Sequence, residues 1–69
     1  MDYKPYQLRV IDEKEELDTK LTNLWSFMGS VPFKQLDMAE QIRLQRQRFV
    51  MMQYSDILRE RIDHFEVTA

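Results

Sequence analysis

A chain of 69 residues, 32% of them charged, with a net charge of −2 and no cysteine, has room for one small domain. The charge balance excludes wholesale attraction to nucleic acid, and the missing cysteines exclude disulfides and fit a reducing compartment. No apolar run approaches the roughly 20 residues that cross a bilayer, and Met1-Asp2-Tyr3-Lys4-Pro5 lacks the pattern of a signal peptide, so a soluble intracellular protein is expected.

The first predicted element is a helix over residues 5–29. Pro5 suits a first helical position, because its φ is fixed and it has no N–H to leave unpaired. Val10, Leu17, Leu21, Leu24 and Met28 then recur at steps of seven, four, three and four, which is one helical stripe. Lys14 falls in the gap, where its stem can cover apolar surface while the ammonium reaches water. Asp12, Glu15, Glu16, Thr19, Thr22 and Asn23 lie on the other side. Gly29 is the natural left-handed stop.

Residues 30–37 form the turn, with Pro32 and Phe33 inside it. Phe33 either plugs the end of the fold or projects into a partner. A second helix is predicted over residues 38–64. Asp37 can cap it by accepting from the Glu40 N–H, and Glu40 can reach back to Asp37. Leu44, Met51, Leu58 and Phe65 step by sevens, while Ile42 with Phe49 and Val50 with Ile57 make further seams.

The expected fold is therefore all-α, an antiparallel two-helix hairpin. Helix two is apolar over more than half its circumference, and one neighbour covers only part of that. So short a chain needs disulfides, metal or association, and only association remains. A homodimer closing into a four-helix bundle uses one patch twice. Leu17, Leu21, Leu24, Ile42, Phe49, Met51, Tyr54, Leu58, Ile62 and Phe65 are the expected core and dimer positions.

Candidate functional features follow from the surface. Asp12-Glu13-Lys14-Glu15-Glu16-Leu17-Asp18 sets five carboxylates against one lysine. It reads as a patch for a basic partner or as a solvated helix face. Arg43, Arg46 and Arg48 could grip phosphates across a dimer, or pair with helix-one carboxylates. Trp25, Phe27 and Phe33 are large aromatics near the turn, and Trp is a frequent interface anchor. Together, Asp12, Glu15, Glu16, Trp25, Phe27 and Phe33 make the candidate partner-binding surface. No nucleophile–base arrangement and no Gly-rich phosphate loop is present, and His64 is the only histidine. No catalysis, metal or cofactor is expected. A sponge for a small molecule stays open, because hairpins that associate can form pockets at their junctions.

The stretch Tyr6-Gln7-Leu8-Arg9-Val10-Ile11-Asp12-Glu13-Lys14-Glu15-Glu16-Leu17-Asp18-Thr19-Lys20-Leu21 resembles the opening of the small phage helical-hairpin accessory proteins related to one from a crAss-like phage. Leu24, Phe27, Phe33 and Leu36 continue the likeness, as do Gln45, Gln47, Met51, Met52, Tyr54, Ser55, Leu58, Arg61 and Ile62. The chain is similar too to the quorum-sensing anti-activators of Pseudomonas phages. That resemblance implies a dimeric, non-enzymatic inhibitor in the host bacterial cytoplasm, binding a LuxR-type transcriptional activator and also the type IV pilus assembly ATPase. It assigns no binding residues. The other function classes are a nucleic-acid-binding dimer and a sponge for a nucleotide immune signal.

Overall fold

The computed structural model describes residues 2–65, an all-α hairpin with extents of 53 × 15 × 14 Å. Helix α1 spans Pro5–Met28, α2 Val31–Lys34 and α3 Met38–Asp63. The two long helices end within one residue of their expected bounds. The short α2 inside the turn is a departure from the sequence reading.

Pro5 opens α1, and the Gln7 side chain accepts from the Lys4 backbone N–H at 2.8 Å, satisfying a donor at the helix entry. Gly29 ends α1 at φ −88° and ψ 0°, not in the left-handed conformation expected of it. Ser30 explains the difference, because it caps a new helix at once. The Gly29 and Ser30 N–H groups donate to the Ser26 and Phe27 carbonyls at 3.2 and 2.9 Å, and Ser30 Oγ caps α2 by accepting from the Phe33 N–H. A Cβ on Gly29 would lie 3.6 Å from the Ser26 oxygen, an ordinary contact. Gly29→Ala should therefore stabilise the fold by about 0.4–1 kcal/mol, through a less flexible unfolded chain. Chemical denaturation measures this, and a loss of stability would contradict the observed backbone.

Asp37 caps α3 as expected, accepting from the Glu40 N–H at 2.7 Å. Glu40 does not complete the reciprocal half. Its carboxylate turns forward to Arg43, whose Nε donates at 2.8 Å.

The seam between α1 and α3 is the core. Val10, Leu17 and Leu58 are buried there, with Met51, Ile62 and Phe65 packed against them. Leu21, Leu24, Leu44 and Met28 are half-buried along the same line. Seven-residue steps on two antiparallel helices bring these stripes face to face. Phe33 closes the turn end, buried and edge-on to Phe27 at 6.0 Å between ring centroids. Tyr3 and Tyr6 close the other end edge-on against Phe65. Ile42, Phe49 and Tyr54, expected in the core or dimer contact, are exposed in the single chain.

Candidate binding face

One flank of the hairpin carries both its inter-helix polar layer and its aromatic–cation pair. Near mid-length, Lys14 Nζ donates to Asp18 Oδ2 at 2.6 Å and to Ser55 Oγ at 3.2 Å, and Ser55 donates in turn to Asp18 Oδ1. Lys14 thus has partners on both helices, while its side chain stays 23% exposed. Lys14 and Ser55 occupy seam positions, where a charged or hydroxyl group stays only with its hydrogen bonds satisfied. Beside this layer runs a shallow groove of about 720 Å³, bordered by Tyr3, Ile11, Lys14, Asp18, Thr22 and Ile62 among others.

The Asp18 carboxyl is held below the usual carboxylate range, chiefly by the Lys14 hydrogen bond, then by that of Ser55. Burial pushes weakly the other way, and the Lys14 charge adds to the lowering. Since the folded pKa lies below the unfolded one, this stabilisation is fully present above the unfolded value, about 3.9. It is lost as pH falls through the folded value. The Asp18 side chain is 44% exposed, so solvent screening keeps the effect under about 1 kcal/mol. Between pH 6 and pH 2 the parent should lose slightly more stability than Asp18→Asn, read from denaturation midpoints. Equal losses would mean that the bond adds nothing.

Toward the turn, the Arg48 guanidinium lies 3.9 Å from the centroid of the Trp25 ring, a cation–π contact joining α1 to α3. Trp25 is 58% exposed, so much of the indole faces solvent. A hollow of about 480 Å³ adjoins it, lined by Trp25, Ser26, Met28, Gly29, Phe33 and Gln45. Among the described residues the ion pairs are Lys14–Asp18, Arg43–Glu40 and Arg59–Asp56, each within one helix. Within the single chain none of Arg43, Arg46 and Arg48 pairs with a helix-one carboxylate in this set; Arg43 meets Glu40 on its own helix, and Arg48 meets an aromatic ring.

The six candidate partner-binding residues do not form one patch. Asp12, Glu15 and Glu16 are exposed along the middle of α1. Trp25 is exposed on the flank shared with Arg48, whereas Phe27 is partly covered by its contact with Phe33, which is buried. Lys14, Ser55 and Gln7 carry the polar interior, and their signal in the sequence was a polar residue at a stripe position. Arg48 has the same signal, sitting between Leu44 and Met51 on the core side of α3.

Among the described residues no helix is long and apolar enough to cross a membrane, and no group of three or more His, Cys, Asp and Glu side chains is placed to hold a metal. No curated protein and no solved structure matches the chain. One family model does match, that of Sequestin, over residues 4–64, which takes in both long helices, the polar layer and the Arg48–Trp25 pair. The chain belongs to the Sequestin family.

Proposed function

We propose that this protein works by sequestration: two copies associate into a four-helix assembly, bind a small nucleotide signal and hold it without changing it. The family's name denotes sequestering, and that supports binding as the activity. The observation that carries the choice of ligand is the Arg48–Trp25 pair, an arginine with no carboxylate partner among the described residues stacked on a largely open indole. A nucleobase stacks on the open part of such a ring, and the guanidinium N–H groups meet phosphate oxygens in a fixed fork. The adjoining hollow of about 480 Å³ is on the scale of small-molecule sites. The Lys14–Asp18–Ser55 layer supports a structural reading. Ser55 donates to a carboxylate of lowered pKa, which is a poor base for activating a hydroxyl.

A second reading, that of a phage-encoded inhibitor holding a LuxR-type activator or the pilus assembly ATPase, rests on the phage resemblance. The exposed run of Asp12, Glu15 and Glu16 favours it, since a basic DNA-reading surface complements it. One titration separates the two. Trp25 is the only tryptophan, so its fluorescence reports directly on the site. Under the first reading cyclic nucleotides change that emission and raise the Tm. Under the second they do neither, and a purified LuxR-type regulator binds the parent but not the Glu15→Lys, Glu16→Lys double variant.

A further inference from the structure

Helix α3 has a second apolar face that its own hairpin never uses. Ile42, Phe49, Val50 and Ile57 are 47%, 62%, 60% and 54% exposed. At 3.6 residues per turn they fall within an arc of about 100°, interleaved with Arg46, Gln53 and Glu60, on the side of α3 away from the Met51–Leu58 seam. Four large apolar side chains on one arc form a patch of the kind that marks an association surface.

The spacing of the patch points to its occupant. Phe49 and Val50 are adjacent, Ile42 stands seven residues before the first and Ile57 seven after the second. The stripe is therefore symmetric about its own midpoint. A two-fold axis between Phe49 and Val50 lays a second α3 antiparallel across it, with Ile42 level with Ile57 of the second copy. The same register puts Arg43 level with Asp56 and Arg46 level with Gln53, so no like charges share a level there. An unrelated partner has no reason to need this symmetry, whereas an isologous contact requires it.

From this we infer that two copies of the chain pair through the outer face of α3, with the α3 helices at the centre and the α1 helices outside. The proposal rests on the reading that two copies associate, and it replaces the closed bundle expected from the sequence with a four-helix layer. The physical need is clear in the single chain, whose buried apolar core is Val10, Leu17, Phe33 and Leu58. Pairing through the outer face of α3 leaves the Arg48–Trp25 flank uncovered. Because the axis is perpendicular to the layer, both copies present that flank on the same side.

The chain has no cysteine, so single cysteines carry spin labels without background. Arg43→Cys, Asp56→Cys and Asn23→Cys all alter exposed positions. Their dimer distances follow from a rise of 1.5 Å per residue and a helix spacing of about 10 Å. Labels at positions 43 and 56 should give equal backbone separations of about 22 Å. The label at position 23, on the outside of α1, should give more than about 30 Å. Unequal distances at 43 and 56 overturn the register, and a separation under about 20 Å at 23 restores the closed bundle, both with dimerisation intact. A stable folded monomer in sedimentation overturns the association itself.

Discussion

Leu58→Glu should leave the chain without its helical circular dichroism at neutral pH and room temperature. Leu58 is 0% exposed and sits where Val10, Leu17, Met51 and Ile62 converge. A carboxylate there has no cation designed to meet it, and burying an unpaired charge costs several kcal/mol even after the group neutralises or drags in water. A core of this size supplies no more than about 3–5 kcal/mol in total. The loss therefore equals or exceeds the stability of the fold. Leu58→Ala, which leaves a cavity but no charge, should cost about 2–5 kcal/mol and be rescued partly by raising the protein concentration. Leu8→Glu serves as the control, because Leu8 is 48% exposed on α1 and a charge there should shift stability by no more than about 0.5 kcal/mol. If Leu58→Glu kept the parent's helicity, the seam would not run where the structure places it.

Trp25→Ala should weaken the uptake of nucleotide while leaving the fold in place. The indole is largely exposed, so its removal takes little from the core. What it does remove is the stacking surface and the partner of Arg48. Stacking of a base on an aromatic ring contributes about 1–3 kcal/mol, which is roughly a 5- to 150-fold loss of affinity. Arg48→Lys keeps the charge but not the planar fork. It should weaken binding nearly as much as Arg48→Ala if phosphate contact is bidentate. Isothermal titration on variants with the parent's Tm reads both effects. Unchanged affinity in Trp25→Ala would remove the site from this flank.

The hairpin was legible in the sequence because its information is local. Val10, Leu17 and Met28 on one helix, with Leu44, Met51 and Leu58 on the other, repeat at spacings that the helix alone dictates. Asp37 likewise signals its cap within one turn. The contacts between the helices were not legible. Lys14 with Ser55, and Trp25 with Arg48, meet only once the two helices slide into one register, and no spacing within either helix states that register. Gly29 misled for a related reason. Glycine at a helix end commonly marks a reversal, but Ser30 restarts a helix one residue later, so the left-handed conformation is not needed. Phe33 was placed in the turn, yet which of its two open roles it filled depended on Phe27 lying at the facing edge.

Sequestration is tested most directly by following the ligand itself. A cyclic nucleotide that shifts the Trp25 emission would be mixed with excess protein, the free pool separated by filtration, and the protein then heat-denatured. The nucleotide should leave the free pool in proportion to protein added, and return on denaturation in full yield with its mass unchanged. Recovery of a compound of different mass would mean catalysis, and a free pool that never falls would mean that this protein does not hold nucleotides.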